Sequence, residues 1–257
     1  MPIWGPAATT ARQMMSENYW KQPLKWNKKA EQEGVRRRVF CASMADVFED
    51  HPMLNEPRAR LWKLIDETPA LDWLLLTKRP ENIETMLPFH WNDPVAFPDG
   101  RIPRNVWFGT SAENQEMFDK RWGELETFAH INHPSVIFLS LEPLLGPIDI
   151  SSALVEINLG DEDRDWWTRT IDWVIVGGES GQNRRPMDLQ WARDIRDQCA
   201  QAEVPFFFKQ TGGLRGGSDR LDGQVYHAWP GQEAPAVRTT VLKSEPDHVE
   251  PVQLSLF

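Results

Sequence analysis

Just past each of six short apolar runs come residues able to hold a charged or hydrogen-bonding ligand. They are Ser43 and Asp46; Thr77, Lys78 and Arg79; Thr110, Ser111, Glu113 and Asn114; Ser140 and Glu142; Gly177, Gly178, Glu179 and Ser180; and Lys209 and Gln210. Lys78, Glu142 and Lys209 are the candidates for catalysis. Ser43, Asp46, Glu113, Gly177, Gly178, Glu179 and Ser180 are the candidates for holding a cofactor. Lys78 and Arg79 suit a carboxylate or phosphate, and Glu179 suits an amine or ribose. Each residue alone has a plainer explanation: Ser43 or Ser111 as a helix cap, Glu142 before Pro143 as an acceptor for loop amides, Lys78–Arg79 as a solvated pair. Gathered at one place, the charges need mutual pairing or a polar ligand to offset their desolvation, which points to a site. The most specific local signal is Val176–Gly181 (VGGESG), where paired glycines after a buried strand let a ligand approach the backbone; a plain glycine turn is the alternative. The six histidines fall in loops or helix ends, so a nucleophilic triad is not expected.

The elements that would position these residues are legible in the pattern. The runs Val39–Ser43, Trp73–Thr77, Val106–Thr110, Val136–Ser140, Trp173–Gly177 and Val204–Phe208 recur at roughly the spacing of a strand plus a crossover helix. They are continuous rather than alternating, as expected of parallel strands covered on both faces. Helical periodicity spans Glu56–Glu67, with Ala59, Leu61, Trp62, Leu64 and Ile65 inward, and also Glu81–Leu87, Glu113–Ala129 and Met187–Ala202. Pro80, Pro186 and Asp188 stand at helix starts. With no early Gly-x-Gly-x-x-Gly turn, and polar residues after nearly every strand, a partial (β/α) barrel of about six parallel strands with an open side is favoured over a doubly wound sheet. The expected organisation is a basic, partly helical segment over 1–38, the barrel over 39–212, and a hairpin with a flexible tail over 213–257.

Composition narrows the function. The chain has no apolar run of about eighteen residues and no signal-peptide pattern, so a cytoplasmic location and no membrane contact are expected. The net charge of -10 opposes unaided binding to a phosphate backbone, so any nucleic-acid role needs a local basic patch or a tether. Cys41 and Cys199 read as small buried hydrophobes, and no metal ligands are assigned. Thirteen tryptophans suit core packing at Trp62, Trp73, Trp107, Trp173 and Trp191, less so at Trp166–Trp167 in a charged loop.

The segments Trp20–Asn27 (WKQPLKWN), Val39–Phe48 (VFCASMADVF), Leu74–Pro80 (LLLTKRP), Leu139–Gly146 (LSLEPLLG), Val174–Gly181 (VIVGGESG) and Pro205–Gln210 (PFFFKQ) resemble, in order, the phage-associated three-cysteine-motif proteins. That resemblance implies a partial barrel of the radical S-adenosylmethionine type. An amino-terminal loop of three cysteines would hold a [4Fe-4S] cluster that binds S-adenosylmethionine. Such a loop is missing from this sequence, so the cluster is expected only if those cysteines are supplied. Three readings stay open: the start lies upstream, an adjacent partner protein supplies them, or the chain is a cluster-free relative that only binds. The resemblance implies an enzyme acting on nucleic acid; a non-catalytic binding protein that keeps the barrel is the alternative.

The last residues, PVQLSLF, resemble the short peptide by which bacterial replication and repair proteins dock on the sliding clamp, with Gln253, Leu254, Leu256 and Phe257 as anchors. A tail folded back as an edge strand is the plainer alternative. Tethering would offset the acidic charge on DNA.

Overall fold

Runs too apolar to face water on either side become six strands: β1 (Arg37–Cys41), β2 (Leu71–Thr77), β3 (Val106–Ser111), β4 (Val136–Leu141), β5 (Trp173–Gly177) and β6 (Phe206–Gln210). The computed structural model in which they are seen describes residue 12 and residues 15–41, 45–92, 102–155, 170–231 and 252–254. The strands are parallel and ordered 1 to 6, with crossover connections between them, which is the connectivity of the expected partial (β/α) barrel. Residues of β3 and β4 are buried throughout, as continuous apolar runs predict.

The helices are α1 (Glu17–Trp20), α2 (Gln22–Glu33), α3 (Asn55–Asp66), α4 (Ile83–Met86), α5 (Gln115–Asn132), α6 (Ser151–Leu154) and α7 (Leu189–Gln201). The helical part expected within residues 1–38 is broken at Lys21. Pro23 has no N–H to give the Tyr19 carbonyl, so the helix restarts with proline in its first turn. Gly34 ends α2 in the left-handed region, at φ 65°. Asp188 caps α7 as expected, its Oδ1 accepting from the Gln190 amide at 2.8 Å.

One inward assignment in α3 is corrected. Ala59 is exposed and Arg58 is buried instead, because its guanidinium donates to the Val47 and Glu49 carbonyls at 2.8 and 2.7 Å. Burying a charge is tolerated where its donors are met in this way. Trp62, Trp73, Trp107 and Trp173 are buried, whereas Trp191 is only half-buried, and Trp166–Trp167 lie outside the described residues. Among the described residues no helix is long and apolar enough to cross a membrane.

The chain divides into two compact units, one of residues 1–108, 132–135 and 247–257, the other of residues 109–131 and 136–246. β3 runs from the first into the second. In the first unit the outer edge of β1 is covered by β9 (Val252–Leu254), parallel to it in the register Val39↔Val252, Phe40↔Gln253 and Cys41↔Leu254. In the second unit residues 226–228 cover the outer edge of β6, antiparallel: the Phe208 amide donates to the Tyr226 carbonyl at 2.7 Å, and Phe207 bridges His227. Both sheet edges thus find partners for groups that would otherwise invite a foreign strand. The expected hairpin is β7 (Arg220–Leu221) and β8 (Gln224–Val225), turned at Asp222–Gly223 with φ of 55° and 78°.

Candidate functional site

In the first unit the strand-end residues are locked to one another. Asp46 lies in the loop after β1. Its Oδ1 accepts from Thr77 Oγ1 at 2.7 Å and the Phe48 amide at 3.0 Å, and its Oδ2 from the Lys78 amide at 3.0 Å and Arg79 at 2.9 Å. With four donors, Asp46 ties the β1 and β2 loops together. Glu49 is gripped by Arg12, with Nε at 2.9 Å from Oε2, and that guanidinium holds the carboxyl below the usual carboxylate range, against the opposing effect of burial. The catalytic candidate Lys78 is exposed at this end of β2. Ser43 lies outside the described residues.

The second unit builds a more open group. β4 ends in Ser140 and continues to Glu142, and β6 carries Lys209. Glu142 Oε2 accepts from Ser140 Oγ at 3.1 Å, and Lys209 Nζ stands 3.3 Å from each carboxylate oxygen. The carboxylate lies against β5 at Gly177, where a Cβ would overlap its Oε1. A glycine is needed at that point for close approach rather than for an unusual backbone. Glu142 is mostly buried, whereas the Lys209 side chain is 47% exposed, so the ammonium remains accessible. Ser111, at the end of β3, is buried and its Oγ has no partner among the described residues. Gly109 makes room in the same way for the Phe138 ring.

The loop after β5 is fixed by its neighbour after β6. The Gly178 amide donates to the Gln210 carbonyl at 2.9 Å, the Gln210 side chain returns a bond to the Gly178 carbonyl at 2.8 Å, and the Gly213 amide donates to the Glu179 carbonyl at 3.2 Å. A Cβ at Gly178 would meet the Thr211 carbonyl, so this glycine serves loop-to-loop packing. Ser180 bridges Gly213 in the same zipper. Glu179 points its carboxylate at Arg185, which donates through Nε at 2.8 Å, Nη2 at 2.9 Å and its own amide at 2.7 Å. These bonds hold Glu179 down to about 2. Glu113 is likewise paired, 3.1 Å from Arg121, and its charge also reaches Arg185.

Of the sequence candidates, Ser140, Glu142, Gly177 and Lys209 come together into one accessible group, while Glu113 and Glu179 are each engaged by an arginine. Gln253 and Leu254 lie in β9; Leu256 and Phe257 fall outside the described residues. Sequence reasoning missed Arg12, Arg121 and Arg185. A signal existed for Arg185, six residues after Glu179 and next to Pro186, as for Arg121, eight after Glu113 at helical spacing. Arg12 is far from Glu49 in the chain and left none.

The iron–sulfur cluster implied by the resemblance needs thiolates held close together. Cys41 and Cys199 are the chain's only cysteines, both fully buried, on β1 of one unit and α7 of the other. Burial pushes both thiols up, that of Cys199 to about 12, which opposes the ligating thiolate. Among the described residues there is no group of His, Cys, Asp and Glu that could hold a metal ion. The residues of this chain do not fit the cluster.

A family model described as protein of unknown function (DUF5131) matches residues 3–234. No curated protein and no solved structure matches.

Proposed function

The chain belongs to the family described as protein of unknown function (DUF5131), and we propose that it is a cytoplasmic, radical-SAM-like protein of the phage-associated kind that binds S-adenosylmethionine at the Glu142 end of the second unit and acts with nucleic acid. The observation that carries the reading is the Ser140–Glu142–Lys209 group packed against Gly177. A mostly buried carboxylate beside a half-exposed ammonium is complementary to an amino-carboxylate, with the ligand's carboxylate toward Lys209 and its amine toward Glu142. S-adenosylmethionine carries such a group. Because the chain's cysteines do not fit the cluster, the reading assigns binding to these residues and derives no radical step from them. The nucleic-acid part rests on the resemblance and on the clamp-like tail.

A second reading, a non-catalytic sliding-clamp-associated binding protein that keeps the barrel, is favoured by the QLSLF tail. Two titrations separate the readings. Calorimetry with S-adenosylmethionine is expected to give binding that Lys209→Ala weakens about tenfold, the loss of one charge-assisted contact, without a change in melting temperature. Equal binding by the variant contradicts the site. Titration of a bacterial clamp with the full chain and with a form lacking Gln253–Phe257 is expected to show micromolar binding for the former alone; equal binding, or none, removes the clamp from either reading.

A further inference from the structure

The chain has a net charge of -10, yet its segment Glu17–Arg38 holds seven basic residues against three carboxylates. Those carboxylates are engaged: Glu17 accepts from Arg60 at 2.6 Å, Glu31 from the Asn27 side-chain amide at 2.9 Å, and Glu33 from Arg37. So are the arginines, Arg36 with Asp72 at 2.6 Å, Arg37 with Glu33, and Arg38 over the Trp107 ring. Lys29 stands 3.7 Å from Glu33. Lys21, Lys25 and Lys28 are left, all exposed and with no carboxylate at ion-pair distance among the described residues. Helical geometry lines these three up. Lys21 caps α2 with helical dihedrals, φ -85° and ψ -9°, so positions 21, 25 and 28 share one face and rise about 10 Å along the axis. The opposite face, with Pro23, Asn27 and Ala30, is buried, and Asn27 accepts from the Ala70 amide at 2.8 Å, which holds the lysine face toward solvent.

From this we infer that the Lys21–Lys25–Lys28 face of α2 is a docking surface for the phosphate backbone of duplex DNA. The inference rests on the nucleic-acid part of the reading above and gives it a contact surface; it needs nothing of the S-adenosylmethionine part. Phosphates follow one another every ~3.4 Å of axis along one strand, so the rise from Lys21 to Lys28 matches about three of them. Ammonium groups on long stems act as adaptable point charges and set no demand on base sequence. A single strand would need aromatic rings to stack on, but Trp26, the aromatic residue of α2, lies roughly 100° or more around the axis from each of the three lysines. A membrane-surface helix would turn its apolar side outward, whereas α2 buries Pro23 and Ala30. The acidic balance of the rest of the chain does not cancel the patch, because exposed charges are screened beyond about 8 Å at physiological ionic strength.

Fluorescence anisotropy of a labelled random-sequence duplex, titrated with the full chain across a salt series, tests the surface. The triple variant Lys21→Gln, Lys25→Gln, Lys28→Gln keeps good helix formers at exposed positions, so its melting temperature should not change. Its slope of log affinity against log salt is expected to be shallower than that of the native chain by about 2.7, from roughly 0.9 per phosphate, and its affinity at about 50 mM salt at least tenfold lower. Lys25→Gln alone should lose about 0.9 of slope, and Lys120→Gln, at an exposed lysine of α5, none. Equal changes in these two single variants overturn the inference. Binding with the same slope in the native chain and the triple variant overturns it too, while leaving DNA as a partner through another surface. Absence of binding by the native chain at about 50 mM salt overturns both the surface and any unaided contact with DNA, and the nucleic-acid reading then stands on the tail. Tighter binding to anionic phospholipid vesicles than to the duplex gives the face to a membrane and likewise overturns the inference.

Discussion

Substituting Gly177 by alanine tests the packing that makes the Glu142 group. The added Cβ would overlap Glu142 Oε1 and lie 3.2 Å from Cδ and 3.4 Å from Cγ. The carboxylate cannot yield freely, because Ser140 holds Oε2 at 3.1 Å and Lys209 Nζ is 3.3 Å from each oxygen. Overpacking of this size costs about 1–3 kcal/mol. The displaced ion pair adds no more than about 0.5 kcal/mol, since half of the Lys209 side chain is in solvent. The Gly177 backbone lies outside the left-handed region, so alanine carries no backbone penalty there. With Glu142→Ala already in place the clash is gone, and Gly177→Ala should then be neutral or stabilise by up to about 1 kcal/mol through the unfolded chain. The four proteins of this cycle, measured by urea denaturation, are expected to show a coupling of about 1–4.5 kcal/mol. Additivity to within about 0.5 kcal/mol would refute the reasoning.

Arg58→Ala should lower stability by roughly 2–6 kcal/mol, about 1–3 kcal/mol for each of the Val47 and Glu49 carbonyls left without its donor in a buried setting; a loss under about 1 kcal/mol in denaturant midpoint contradicts that role. Glu179 has a depressed folded pKa, so the order that its pairing with Arg185 gives the loop is present above the usual value of 4.5 and is lost as pH falls toward about 2. Carboxyl chemical shifts should follow that transition in the native chain and move upward in Arg185→Ala; titration near 4.5 in the native chain contradicts the pairing. Cys41 and Cys199 should resist thiol reagents until the chain unfolds, and anaerobic treatment with iron and sulfide should leave the protein colourless. A stable brown protein with [4Fe-4S] absorbance contradicts the fit drawn from these two cysteines.

The strands were readable because burial on both faces demands unbroken apolar runs, and Trp73–Thr77 and Val136–Ser140 carry that demand in composition alone. The break at Lys21 was hidden because Pro23 is equally at home in a helix's first turn, and helical periodicity runs through it. The Arg58 and Ala59 exchange shows a different limit. A residue's type gives its preferred side of a helix, but a guanidinium that finds backbone carbonyls can take the inner side. The strand ends pointed to Ser140, Glu142, Gly177 and Lys209, which the structure brings together, without showing how the charges pair. Glu142 and Glu179 look alike in sequence, each after a strand, yet a lysine leaves the first accessible and a bidentate arginine occupies the second. Such pairings depend on which loops meet in space, and only the short spacings to Arg121 and Arg185 hint at them.

The most direct test of the central claim is a crystal structure of the chain grown with S-adenosylmethionine. The ligand's amino-carboxylate is expected at the second unit's strand ends, within hydrogen-bonding distance of Glu142 and Lys209. Ordered ligand at another place, with the Glu142–Lys209 pair unchanged and facing solvent, would contradict it.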